Sequence, residues 1–233
     1  MTSAQPAYTA IRDRVRAAAL RAGHGVRLLA VSKLQPAAAV RELAALGQRE
    51  FGENYVQEAL AKQRTLRDAG PLPAELTWHL IGPLQSNKCR EVAEHFDWLQ
   101  SLDRNKLIEP LNRFRPADAP PLNVLIQVNI DAEASKSGCA PEGTAALAAR
   151  VAAAPRLQLR GLMAIPEPQP DFERRRTTFR RMRALFDALA REHAGVDTLS
   201  LGMSEDFELA IAEGATLVRI GTAVFGPRAG RTD

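Results

Sequence analysis

The sequence predicts an α/β protein, a (β/α)8 TIM barrel with one extra helix in front. Three observations carry that prediction. Eight short apolar runs alternate with longer stretches of helical periodicity. Several of those runs are apolar at consecutive positions instead of alternating, as strands are when helices cover both faces of a parallel sheet. Polar residues collect just after the apolar runs, where a barrel gathers its ligand sites. The competing architecture is a doubly wound open sheet. No G-x-G-x-x-G follows the first strand, which counts against it.

Residues 8–22 form the leading helix. Strands are expected at 27–32, 50–53, 77–81, 98–101, 123–129, 158–163, 198–201 and 216–220. Between the first two, residues 36–46 read as a helix that begins at Pro36 and stops before Gly47. Residues 141–153 are rich in alanine, the best helix former. Residues 172–193 make the longest helix, with Phe172, Phe179, Met182, Phe186 and Leu189 on one face. Ser204 precedes a helix at 205–213, which Gly214 ends.

At 233 residues the chain suits one barrel domain over 1–233, with no linker long enough to divide it. Apolar residues make up 45% and charged residues 25%, as in ordinary globular proteins. A net charge of +4 does not indicate nucleic acid. The arginines Arg174, Arg175, Arg176, Arg180, Arg181 and Arg183 share a helix with an apolar seam and read as its solvated face. They have no interleaved aromatic platform. Cys89 and Cys139 show no metal-site spacing and suit a reducing compartment. The first ten residues lack an apolar signal core, and no run approaches the ~20 residues that span a bilayer. The expectation is a cytoplasmic protein that binds neither membrane nor nucleic acid.

The chemistry is most legible at Lys33, which closes the run Leu28-Leu29-Ala30-Val31-Ser32. A strand tip holds an amine rigidly, and desolvation there favours its neutral, nucleophilic form. Such a lysine can form an imine with an aldehyde. At the other end, Gly221-Thr222 offers backbone N–H groups and a hydroxyl for an anion. Ser204 stands before a helix whose first N–H groups favour phosphate, although Glu205 and Asp206 in that first turn would repel it. Arg219, two residues before Gly221, faces the same side of strand eight and can reach a pyridine nitrogen. Guanidinium only donates, so that nitrogen would stay unprotonated and the ring would be a weak electron sink. Together the two ends suggest lysine-bound pyridoxal 5'-phosphate (PLP). Further mouth candidates are Asn54, His79 with Gly82, Asn129, Met163 and Ser200. Taken singly, each has a plainer reading: Lys33 as a paired surface lysine, Arg219 as structural, Ser204 as a helix cap, Asn54 as a turn residue, His79 as a core or mouth histidine.

The chain also resembles a known family, the pyridoxal phosphate homeostasis proteins (the YggS/PROSC family). The resemblance rests on Ala30-Val31-Ser32-Lys33, Phe51-Gly52-Glu53-Asn54-Tyr55, Trp78-His79-Leu80-Ile81-Gly82-Pro83 and Gly161-Leu162-Met163. It extends through Leu199-Ser200-Leu201-Gly202-Met203-Ser204 and Val218-Arg219-Ile220-Gly221-Thr222. Leu201 departs from the methionine usual there. The resemblance implies a barrel of the alanine-racemase N-terminal type with PLP in an imine to Lys33. It implies Arg219 at the ring nitrogen, Ser204, Gly221 and Thr222 near the phosphate, and Asn54 and Ser200 as lesser contacts. It matches Lys136 to a second PLP contact. It implies a carrier or reservoir that maintains vitamin B6 levels, with apo PLP-dependent enzymes as possible partners and no catalysis.

Two enzyme readings compete. One is a PLP-dependent racemase or decarboxylase; a two-base racemase needs a second proton donor on the opposite face of the imine, and in racemases that resemble this fold that group is a tyrosine from a further domain of a partner subunit. The sequence ends soon after Gly226 and has only Tyr8 and Tyr55, so neither that domain nor a swapped dimer is expected, and a monomer is. An aldolase using Lys33 lacks an acid/base pair around the lysine.

Overall fold

The computed structural model describes residues 5–133 and 137–226. Its eight parallel strands close into a barrel in sequence order. They are β1 (Arg27–Val31), β2 (Glu50–Glu53), β3 (Thr77–Leu80), β4 (Trp98–Leu102), β5 (Leu122–Gln127), β6 (Leu157–Met163), β7 (Thr198–Ser200) and β8 (Leu217–Ile220). The expected barrel and its leading helix are therefore present, with strand ends displaced by a residue or two.

Nine helices are described. They are α1 (Gln5–Ala22), α2 (Ala37–Ala45), α3 (Val56–Asp68), α4 (Cys89–His95), α5 (Ile108–Phe114), α6 (Thr144–Ala152), α7 (Phe172–Glu192), α8 (Phe207–Ala212) and α9 (Thr222–Phe225). Sequence periodicity misses α3 because its buried stripe reads Val56, Ala59, Lys62, Leu66, with a lysine where an apolar residue belongs. It misses α4 and α5 because each is two turns long and opens from a 3-10 turn. Among the described residues no helix is long and apolar enough to cross a membrane.

Side chains alternate across each strand. Ala30, Phe51, Leu80, Leu99, Val218 and Ile220 point outward into the main apolar core under the helices. Trp98, Leu125 and Met163 form a separate cluster inside the barrel. The inward set also contains buried polar groups, His79, Gln100, Ser200 and Arg219, where small barrels more often stack aliphatic residues.

The α7 seam holds from Phe179 onward, with Met182, Phe186 and Leu189 buried. Phe172 does not belong to it. Its ring is 52% exposed, with the Arg176 guanidinium 4.9 Å from its centroid. The arginines of this helix are engaged locally. Arg176 and Arg180 pair with Glu213, Arg183 pairs with Asp187, and Arg181 donates to the Ile130 carbonyl. That pattern fits a solvated face.

The seam sets one expected outcome. Phe179→Ala should cost about 3–5 kcal/mol, as for other buried aromatic truncations. Phe172→Ala should change stability by no more than about 0.5 kcal/mol. Urea midpoints at unchanged slope measure both.

Candidate functional site

At the C-terminal ends of the strands lies a cavity of about 450 Å³. Lys33, Asn54, Ser204, Arg219, Gly221 and Thr222 all line it. The closing pair of the barrel explains the meeting of chain ends: β1 and β8 run side by side with Leu29 opposite Arg219 and Ala30 opposite Ile220. Lys33 continues the inward parity of Leu29 and Val31.

Both neighbours of Lys33 are held from the second strand and third helix. The Ser32 N–H donates to the Gly52 carbonyl at 2.9 Å, and its hydroxyl donates to Glu53 Oε1 at 2.6 Å. Lys62 Nζ, on a side chain only 4% exposed, donates to the Ser32 carbonyl at 2.8 Å and to Glu53 Oε1 at 2.5 Å. On the far side, the Leu34 N–H donates to Glu58 Oε1 at 2.6 Å, and Lys62 reaches that same oxygen at 3.2 Å. Leu34 has φ of 60°, a left-handed conformation that costs an L-residue roughly 1–2 kcal/mol. Burial raises the Glu53 carboxyl, while Lys62 and the Ser32 hydroxyl pull it down. The lysine that breaks the α3 stripe is thus the anchor of the Lys33 loop.

Arg219 is 4% exposed and reaches the cavity from below. Its Nη1 donates to the Ser200 carbonyl at 2.8 Å and to Ser200 Oγ at 2.6 Å, and its Nη2 donates to the Ala164 carbonyl at 2.7 Å. Burial lowers its pKa to about 10, so it stays charged at neutral pH. Ser200 is fully buried and does not line the cavity. Its position is behind the arginine.

The anion-facing end differs from expectation in one respect. Helix α8 begins at Phe207, so Ser204 is not its N-cap. The Asp206 carboxylate accepts from the Met203 N–H at 2.7 Å, which closes a turn over 203–206 before the helix starts. Ser204 faces the cavity from that turn. The same bond occupies Asp206, and Glu205 is exposed, which eases the expected repulsion of an anion. At Gly221 an added Cβ would stand 3.2 Å from the Val31 carbonyl oxygen, so the missing side chain lets the two strand tips lie close. Its carbonyl accepts from the Val224 and Phe225 N–H groups and so opens α9. Gly82 does similar work beside Asn54, where a Cβ would fall 2.1 Å from the Asn54 carbonyl oxygen.

Other mouth candidates fall elsewhere. Asn129 lies beyond the end of β5, and its side chain bonds both backbone groups of Glu133. Gln127, the last inward residue of that strand, lines the cavity instead and donates to the Ser137 carbonyl at 3.0 Å. Counting by twos from Leu125 would have found it. His79 and Met163 are buried inside the barrel, away from the cavity lining. Lys136 lies outside the described residues. Among the described residues no cluster of acids, histidines and cysteines could hold a metal ion. A groove of about 580 Å³ beside Leu66 and Trp78 sits at the start of β3, away from the amine and the anion-facing loops.

The family model for the alanine racemase N-terminal domain matches residues 7–229. A pyridoxal phosphate homeostasis protein of Pseudomonas aeruginosa is 58% identical over 221 residues, 94% of this chain and 93% of that one. Its counterpart in Escherichia coli K12 is 53% identical over 94% of each chain. Among solved structures, PipY of Synechococcus elongatus without PLP superposes with TM-score 0.79 at 42% identity, covering 91% of this chain and 99% of that one. PipY with PLP bound gives 0.77 at 40% identity over the same shares. Alanine racemase of Corynebacterium glutamicum shares the fold alone, at 23% identity and TM-score 0.62, with 97% of this chain spanning 63% of that one.

The anchor of the Lys33 loop makes a testable pair. Lys62→Met should destabilise by about 3–5 kcal/mol, because it strands the buried Glu53 carboxylate, and Glu53→Gln should cost less, because Lys62 keeps Glu58 as a partner. Removing both partners together should cost less than the sum of the singles, as a double-mutant cycle by chemical denaturation will read.

Proposed function

The chain belongs to the alanine racemase N-terminal domain family, among the pyridoxal phosphate homeostasis proteins, and from that premise we propose that it binds PLP through Lys33 and serves vitamin B6 homeostasis as a carrier or reservoir. One observation carries the reading: an amine from the first strand and a guanidinium from the last line the same cavity, beside two hydroxyl-bearing loops. PipY, 40% identical, has been solved with PLP bound.

The residues fit the group. Bound PLP supplies an aldehyde carbon that condenses with a primary amine, and a conjugated ring whose colour reports the bond. Lys33 is the amine. Arg219, already held by Ser200 and Ala164, presents only donors, so a ring nitrogen opposite it remains an acceptor. Ser204, Thr222 and the backbone at Gly221 form the phosphate end, with hydroxyls and N–H groups in place of a lysine. Asn54 borders Lys33, and Ser200 orients Arg219.

A non-catalytic role suits this cavity better than racemisation or decarboxylation. Two-base chemistry needs a second proton donor across the ring from the lysine. Tyr55 is 59% exposed and outside the cavity lining, and Tyr8 is buried on α1 with its hydroxyl on Gln48. A donor-only partner at the ring nitrogen also leaves a weak electron sink. In this reading the working unit is a monomer. The reading places it in the cytoplasm, handing PLP to apo-enzymes.

The purified protein should be yellow or become so on adding PLP. Borohydride reduction and peptide mapping should place the label on Lys33, and Lys33→Ala should lose the label while keeping weaker, phosphate-anchored binding. A colourless protein that takes up no added PLP sinks the proposal. Arg219→Glu should shift the absorption band by protonating the ring nitrogen. Robust turnover of a free amino acid would overturn the carrier reading.

A further inference from the structure

Beneath the cavity a line of buried polar side chains descends the barrel interior from Arg219. Arg219 Nη1 meets Ser200 Oγ at 2.6 Å, the Ser200 hydroxyl donates to Gln100 Oε1 at 2.7 Å, and the Gln100 amide nitrogen lies 3.0 Å from His79 Nδ1. His79 Nε2 then faces Glu50 Oε2 at 3.5 Å. Neither of those two atoms has a hydrogen-bond partner, and both are buried, so this contact is a close approach and not a formed bond. The other oxygen of Glu50 lies 3.4 Å from Arg27. Five successive links thus join β8, β7, β4, β3 and β2 to the base of β1.

Elementary chemistry fixes the direction of every proton in this line. Guanidinium has no acceptor, so Ser200 Oγ must accept from Arg219 and spend its own proton on the Gln100 carbonyl. The Gln100 amide therefore turns its NH2 toward His79 and donates to Nδ1. Burial, and then the charge of Arg27, hold the imidazole well below its usual pKa, so it is neutral. With Nδ1 accepting, its single proton sits on Nε2 and points at Glu50. Arg27 favours the carboxylate form of Glu50 against the upward pull of burial. All donors run one way, from the cation at the cavity floor to the acid at the barrel base.

This filling is costly for a barrel. Aliphatic residues would occupy the same space without desolvating polar atoms. What the polar line adds is orientation. Ser200 and the Ala164 carbonyl commit three guanidinium N–H groups to the protein, and two of the five remain to serve a ligand in the cavity that Arg219 lines.

We propose that Gln100 and His79 are positioning residues for Arg219, fixing through Ser200 the plane in which the guanidinium offers its remaining protons to a bound heteroaromatic ring. The proposal rests on the PLP reading of this cavity. Neither residue touches the ligand.

The test uses the full chain loaded with PLP. Gln100→Leu and His79→Leu should each shift the absorption band of bound PLP and weaken its retention by about two- to tenfold, as for loss of a neutral hydrogen bond. Borohydride labelling of Lys33 should persist. His79→Gln, which keeps an acceptor toward Gln100 and a donor toward Glu50, should restore the wild-type band. Should the leucine variants fail to fold, Ser200→Ala cuts the same line by one atom and should give the same shift. Folded variants with reduced stability but an unchanged band and unchanged retention would falsify the positioning role. The two failures are separable: wild-type protein that takes no borohydride label removes the PLP reading itself, whereas labelled wild type beside spectrally unchanged variants removes only the line.

Discussion

The parallel pairing of β1 with β8 is the constraint on which the rest of the molecule depends. Each other strand pairs with its neighbour in sequence, but this one joins residues near opposite ends of the chain. Its register sets Leu29 beside Arg219, and two residues further on each strand it brings Val31 against Gly221, with Lys33 two residues beyond Val31 at the mouth. A shift of one residue would turn Arg219 outward under the helices and Ile220 inward. The amine, the guanidinium and the anion-facing loops would then no longer share a cavity.

Much of this was legible in the sequence, for physical reasons. Strands covered on both faces are apolar throughout, so their eight runs stand out from the polar surface. A barrel places functional groups at strand ends, so residues following those runs were the right ones to suspect. Lys33, Asn54, Ser204, Arg219, Gly221 and Thr222 do line one cavity. The failures have separate causes. Helix α3 was hidden because Lys62 occupies its buried stripe, and a lysine looks like surface until its partner Glu53 is known. Ser204 looked like a cap because serine usually is one, but Asp206 closes a turn there first. Asn129 was chosen over Gln127 because the strand was drawn two residues too long.

Two buried polar systems flank the cavity, and they act on different parts of it. Lys62 with Glu53 and Glu58 secures the backbone on both sides of Lys33. Ser200 with Gln100 and His79 secures the side chain of Arg219. In each case the protein gives up hydrophobic stabilisation for a defined geometry. Most of the polar atoms involved are satisfied, as buried ones must be. The exceptions are Glu53 Oε2 beside the Lys33 loop and the facing His79 Nε2 and Glu50 Oε2 at the end of the line furthest from the cavity.

The closing seam has a kinetic corollary. Joining the first strand to the last requires the largest loop closure in the barrel, so this contact is entropically the most demanding and is favoured to form late. An occupant tethered to Lys33 and gripped at Gly221 would bridge that joint like a clasp. Saturation at a hundredfold over its dissociation constant would add about 2.7 kcal/mol against opening. The lifetime of the intact cylinder would then rise and fall with the vitamin supply that it serves.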